Sequence, residues 1–262
     1  MNSRAVVRSV VFSLTLSLAA TAAFAQDAGK QFEPTVGQAG KDVVWVPTPQ
    51  ALVDKMLDLA KLTPNDFVMD LGSGDGRTVI TAAKRGARAL GIEYNPDMVE
   101  LSKRNAEKAG VADRAQFMKA DLFETDFSKA TVITMFLLPD INLKLRPKIL
   151  KLKPGTRVVS NSFTMGDWQA DETSEVSATK GCENSWCTAL LWIVPAQVGG
   201  TYKVPEGEVT LKQTYQMLSG TMRAGGKTFA LKGKVNGEEI SFSAGGKQYK
   251  GRLNGKQLEL AS

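Results

Sequence analysis

The chain has no histidine and only two cysteines in 262 residues. The first absence removes Ser-His-Asp and Cys-His catalysis and every His-ligated metal site. The two thiols, Cys182 and Cys187, fit no four-ligand zinc pattern, because no further Cys or His could complete it. No metal is therefore expected. A strong charge of one sign is also missing. The 33 Lys+Arg and 27 Asp+Glu leave +6, too small and too dispersed to argue for a nucleic-acid partner. Beyond the N-terminus no apolar run is long enough to span a bilayer. The length suits one large domain or two smaller ones.

What is present begins with an export pattern. Arg4 and Arg8 precede an apolar run, Val10 to Ala20, and Ala23-Phe24-Ala25 fits a small-x-small cleavage site. Residues 1–25 are read as a signal peptide, with Gln26 as the mature N-terminus and a periplasmic destination. A retained membrane anchor is the alternative, and the run is short for one. In an exported protein two nearby cysteines favour a local Cys182–Cys187 disulfide. A buried Cys187 beside an exposed Cys182 is the other reading.

The chain is organised around Val68-Met69-Asp70-Leu71-Gly72-Ser73-Gly74-Asp75-Gly76-Arg77. An apolar run enters an acid and three alternating glycines. A helical pattern with Val79, Ile80, Ala82 and Ala83 follows and stops at Gly86, giving strand, tight turn and helix. Such a turn lets backbone approach a ligand, with free N–H groups behind it. It is not the dinucleotide fingerprint G-x-G-x-x-G. Its third glycine, Gly76, comes one place early, and Arg77 stands where Gly is needed.

The pattern repeats down the chain. Residues 26–42 read as a mobile linker. Thr48 is placed to N-cap a helix beginning at Pro49, and Asn95-Pro96 forms a second cap pair. Strands ending at Glu93, at Asp121-Leu122 and at Phe136-Leu137-Leu138-Pro139-Asp140 alternate with helices. A bend is expected at Pro147. Strands near Arg157 to Ser160 and Ala189 to Leu191 close residues 43–197. The alternation predicts an α/β parallel sheet with its ligand at the strands' carboxyl ends. Residues 198–262 change texture. Gly-Gly and Asn-Gly pairs punctuate short alternating stretches, which predicts a small antiparallel β domain of about six strands.

Acid-Leu-Gly-x-Gly-x-Gly with acids at later strand ends resembles class I methyltransferases that use S-adenosylmethionine. More narrowly, Trp45-Val46-Pro47-Thr48-Pro49, the glycine motif, Phe136-Leu137-Leu138-Pro139 and Gly166-Asp167-Trp168 resemble a particular bacterial set. Its members are related to the mitochondrial lysine methyltransferases of the ATP synthase c subunit and the adenine nucleotide translocase. The resemblance implies a Rossmann-like class I methyltransferase sheet with helices on both faces, with the C-terminal antiparallel β domain as a departure from it. It implies S-adenosylmethionine held by Asp70, Gly72, Ser73, Gly74, Asp75, Gly76, Glu93, Asp121, Leu122 and Phe136. In that site Asp70 holds the turn or attracts the methionyl ammonium, Glu93 accepts both ribose hydroxyls, and Asp121 accepts from the adenine amino group. Carbonyls of Leu137 or Leu138, fixed by Pro139, aim the acceptor amine, and Asp140 takes its proton. Trp45, Pro47, Thr48 and Trp168 wall the acceptor channel. The acceptor is an amine, with a protein lysine or an envelope protein as candidates. The competing readings are an exported binding module without turnover, contacting an envelope partner through its β domain, and a nicotinamide enzyme that Arg77 disfavours.

Overall fold

The computed structural model describes residues 31–183 and 185–261. The expected signal peptide, 1–25, lies outside them.

Strand β1 (Phe67–Leu71) is the centre of the first sheet because its side chains are apolar on both faces. Val68 enters one core, and Met69 and Leu71 enter the other. Helix α1 (Gln50–Leu59) precedes it. Helices α2 (Arg77–Lys84), α3 (Pro96–Lys108) and α4 (Pro139–Ile149) alternate with β2 (Arg88–Glu93), β3 (Ala115–Lys119), β4 (Val132–Met135) and β5 (Arg157–Asn161). Two further strands, β6 (Glu172–Glu175) and β7 (Thr188–Ile193), complete the order β3-β2-β1-β4-β5-β7-β6. The pairs among β1 to β5 are parallel, and β7 runs antiparallel to both neighbours. Helices α1 to α3 cover one face of the sheet, and α4 with the segments around Phe127 and Trp168 covers the other. The order reverses between β1 and β4, the crevice where open α/β sheets bind ligands.

Three local expectations differ. Strand β6 was not legible, because Glu-Thr-Ser-Glu at an exposed sheet edge carries no apolar alternation. Thr48 makes no cap bond to α1. Its hydroxyl accepts instead from Asn161 Nδ2 at 3.4 Å. The cap at Asn95 does form, with Asn95 Oδ1 accepting from Asp97 N at 2.9 Å. Residues 37–42, read as the end of a linker, make a hydrogen-bonded strap with residues 43–45. Gly37 N donates to Trp45 O, and Trp45 N donates to Gln38 O.

The second sheet is an antiparallel meander of seven strands. They are β8 (Gly200–Val204), β9 (Gly207–Thr214), β10 (Met217–Ala224), β11 (Lys227–Asn236), β12 (Glu239–Ala244), β13 (Lys247–Asn254) and β14 (Gln257–Ala261). It curls until β14 lies beside β8, around a core that includes Leu211, Leu218, Met222, Leu231, Val235 and Phe242. The curl has a sequence cause. Gly220, Gly233 and Gly251 sit where a Cβ would come within 1.9–2.2 Å of a neighbouring carbonyl oxygen, so strand backbones approach there as no side chain allows.

Both sheets belong to one compact unit, Phe32–Ser262. The β9–β10 hairpin joins them. Tyr215 stacks on Trp168 with ring centroids 6.0 Å apart and donates its hydroxyl to Asp167 at 2.9 Å. Gln216 Nε2 donates to Gln169 O at 2.7 Å, and Lys234 pairs with Asp171 at 2.7 Å. Trp168 is fully buried, 6.2 Å from Trp192. This corrects its assignment to an acceptor channel. Its ring fills the joint between the sheets, where a large apolar surface needs cover.

Candidate active site

A cavity of about 520 Å³ opens over the carboxyl ends of β1 to β5. Its walls follow the sheet order. Asp121 and Leu122 stand past β3, Glu93 and Tyr94 at β2, and Asp70 to Asp75 at β1. Phe136 to Leu138 lie past β4, Phe163 past β5, and Trp186 before β7. The strap from Gln38 to Thr48 covers it, with Trp45 and Pro47 in the wall.

The glycine turn is shaped as much by protein as by ligand. Gly74 has φ 54°, and a Cβ there would meet the Trp45 ring nitrogen at 2.7 Å. The strap therefore lies flat on the loop only because residue 74 is glycine. Gly76 does not line the cavity. A Cβ there would strike Phe117 at 2.7 Å and Ser102 at 2.9 Å, so it serves the packing of loop on α3 and β3. Ser73 turns its hydroxyl towards Gly91, buried and without a hydrogen-bond partner. Asp75 forks Arg77 at 2.6 and 3.0 Å, and Arg77 Nη1 donates to Thr48 O at 2.9 Å, tying the loop to the strap.

Three of the carboxylates in the cavity wall, Glu93, Asp70 and Asp121, stand in different states. Glu93 Oε2 accepts from Gly74 N at 3.0 Å, and Oε1 from Asn95 N at 2.9 Å. Each oxygen keeps a lone pair for a further donor, as a vicinal diol would need. Asp70 is buried, and Thr134 donates to it at 2.6 Å. Burial pushes its carboxyl up to about 7, with the negative Asp75 and Glu93 adding to the rise. It makes no hydrogen bond to the glycine turn; its bond to Thr134 ties the end of β1 to β4. Asp121 accepts from Lys41 Nζ at 2.5 Å and from Phe123 N at 2.9 Å. The Lys41 bond holds its carboxyl below the usual carboxylate range. Lys41 also lies over the Tyr94 ring at 4.9 Å. Asp121 is thus a latch for the strap.

Beyond β4 the walls turn apolar. Leu137, Leu138 and Ile141 continue to Phe163 and Trp186. Phe163 follows Ser162, whose backbone is left-handed at φ 58° and whose N–H donates to Thr188 O at 2.7 Å. The residues assigned to catalysis separate here. Leu138 lines the cavity, but its carbonyl accepts from Ile141 N and Asn142 N, so it starts α4 and does not aim an amine. Pro139 occupies the first turn of α4 and does not line the cavity. Asp140 is exposed in the same turn, outside the lining, as an ordinary helix-start acid. Lys41, Tyr94, Phe163 and Trp186 line the cavity without having been singled out as site residues. Only Trp186 carried a signal, its place beside Cys187. Those two cysteines form the expected disulfide.

Fold and site together define a class I S-adenosylmethionine-dependent methyltransferase. The family model described as the ANTKMT methyltransferase domain matches residues 70–172. A protein-lysine N-methyltransferase of Saccharolobus islandicus (strain REY15A) is 48% identical over 137 residues, covering 51% of this chain and 85% of that protein. The Homo sapiens lysine N-methyltransferase of the ATP synthase c subunit is 30% identical over 164 residues, covering 58% and 70%. A solved RNA methyltransferase from Salinibacter ruber, in complex with S-adenosyl-L-homocysteine, is 47% identical with a TM-score of 0.54. It covers 58% of this chain and 96% of that one. The chain belongs to the ANTKMT methyltransferase family of S-adenosylmethionine-dependent enzymes. The second sheet lies outside the residues that the family model matches.

Proposed function

We propose that the protein transfers a methyl group to a lysine amine of a protein acceptor. One observation carries this reading: the far end of the cavity is an apolar and aromatic slot. The acids in the cavity wall, Asp42, Asp70, Asp75, Glu93 and Asp121, lie at the β1–β3 side or on the strap. Such a slot suits an aliphatic chain that brings its own nucleophilic nitrogen. Two relatives named for lysine methylation support it, while the relative titled as an RNA methyltransferase supplies the competing acceptor.

The residues present fit the cofactor. Asp70 is a buried carboxylate whose charged neighbours are acids, so the site lacks a positive charge that a ligand ammonium would bring. S-adenosylmethionine, when bound, supplies an activated methyl group with its own leaving group. Asp70 would hold the ammonium, Glu93 the ribose, and Leu122 with Tyr94 the adenine, under a strap latched by Lys41 and Asp121. A lysine amine has a reference pKa of about 10.4 and reacts only when neutral. Desolvation beside the buried Leu137 and Ile141 favours the neutral form. The proton leaves to solvent, since Asp140 stands outside the lining. Alignment of the neutral amine is then the protein's main contribution to rate.

The test is incubation of the protein with methyl-labelled cofactor and, separately, envelope protein and RNA from the native host. Mass spectrometry should place label on a lysine. Label on RNA alone would refute the lysine reading, and tight cofactor binding with no labelled product would favour a binding module. We further propose export to the periplasm, supported by the 1–25 pattern and by the Cys182–Cys187 disulfide, which suits an oxidising compartment.

A further inference from the structure

Three rings from three separate elements meet at the far end of the cavity. Phe136 comes from the end of β4, Phe163 from the turn after β5, and Trp186 from the loop before β7. Phe136 stacks on Phe163 with centroids 5.8 Å apart and planes at 18°. Trp186 meets Phe136 edge-on at 6.0 Å and 60°. These rings are not core. Trp186 is 36% exposed, whereas Trp168 and Trp192 are fully buried. The cations in the cavity wall, Lys41 and Arg77, are committed to Asp121 and Asp75. No other Lys or Arg among the described lining residues would repel a positive ligand at the rings.

We infer that Phe136, Phe163 and Trp186 form an aromatic box that selects a cationic aliphatic amine as methyl acceptor, with Trp186 held in place by the Cys182–Cys187 disulfide. The inference rests on the amine-acceptor reading above and names the residues that enforce it. A lysine arrives charged at neutral pH, and the ring faces not taken up by the Phe136–Phe163 stack attract a cation through their quadrupoles. Beside the buried Leu137 and Ile141 of the same slot, desolvation favours the neutral, reactive amine. The disulfide matters because Trp186 sits on a short exposed loop. Cys182 is buried in the core beneath α1, Cys187 packs against the same core, and Cys187 O accepts from Val176 N at 2.9 Å. The bridge therefore fixes both ends of the segment that carries the ring.

The test uses the full chain loaded with S-adenosylhomocysteine and titrated in a calorimeter. The probes are Nα-acetyl-lysine methylamide and its uncharged analogue, Nα-acetyl-norleucine methylamide. The wild type should prefer the lysine probe. Trp186→Ala should weaken that binding roughly two- to thirty-fold, the range of a cation–π contact. Trp186→Phe should restore most of it, and S-adenosylhomocysteine affinity should not move in either variant. Phe163→Leu is the second variant and should show the same selective loss. Reduction and alkylation of the disulfide should lower affinity for the lysine probe alone. Unchanged lysine-probe affinity in Trp186→Ala and Phe163→Leu would overturn the box. Unchanged affinity after reduction would overturn the role of the disulfide. A wild type that binds the norleucine probe as tightly, or binds neither, would refute the amine-acceptor reading itself, and the box would fall with it.

Discussion

Asp70→Asn separates a carboxylate kept for a ligand from one kept for the fold. The Asp70 carboxyl titrates near 7 in the folded chain against 3.8 when unperturbed, because burial disfavours its charge. That difference of about 3 units corresponds to about 4 kcal/mol at about 1.36 kcal/mol per unit. The sign follows from proton counting. Between about pH 4 and pH 7 the folded state holds a proton that the unfolded state has released, so stability of the ligand-free protein falls as pH rises through that window. Below about pH 4 both states are protonated and the penalty is absent; above about pH 7 it is fully present. Asn cannot ionise, and it can still accept from Thr134 as Asp70 does now. The Asp70→Asn protein should therefore match wild type near pH 4 and exceed it by up to about 4 kcal/mol at pH 8, read by urea unfolding across pH. Cofactor binding should move the other way. Wild-type affinity should rise from pH 6 to 8 as Asp70 ionises to meet the ammonium, with proton release visible in buffers of different ionisation heat. The variant should bind weakly with a flat profile. A stability gap independent of pH, or a flat wild-type affinity profile, would refute the argument.

Glu93→Ala should remove charge-assisted bonds worth roughly 1.5–3 kcal/mol each and weaken cofactor affinity more than about tenfold. Calorimetry on folded variant protein checks it. Lys41→Ala should free the Asp121 latch and speed cofactor dissociation, measured by stopped-flow, while the melting temperature stays close to wild type because the pair is partly open to solvent. Ending the chain near Gln197 should uncover Trp168 and remove the Tyr215 and Lys234 contacts. Expected results are dye binding and loss of a cooperative melt, and a truncated chain that melts like wild type would show that the joint contributes little. Protein from its native host should begin at Gln26 and titrate with no free thiol before reduction. A mass starting at Met1, or two free thiols, would contradict export.

The parts fixed by local pattern were legible without coordinates. Glycine spacing, strand-end acids and the Asn95-Pro96 cap depend on residues within a few positions of each other, so the strand–turn–helix, the parallel part of the sheet and the cavity edge followed from sequence alone, while the antiparallel run of β7 did not. The hairpin pairs after residue 198 belong with them, although the count fell one strand short. Tertiary structure decided whatever depends on partners far along the chain. Trp168 reads as a channel wall in a short motif, yet Tyr215, 47 positions later, buries it. Asp140 reads as a base beside Leu138, but the first turn of α4 carries it out of the cavity wall. Gly76 resembles a ligand-facing glycine, and only Phe117 and Ser102 reveal it as a packing position. Lys41 and Asp121 are 80 residues apart, so no local pattern could have joined the strap to the strand end. The aromatic box is the extreme case. Phe136, Phe163 and Trp186 lie on three segments that only the sheet order brings together. Backbone geometry is written in short-range sequence, while the direction a side chain faces is set by which distant surfaces it must cover or leave open.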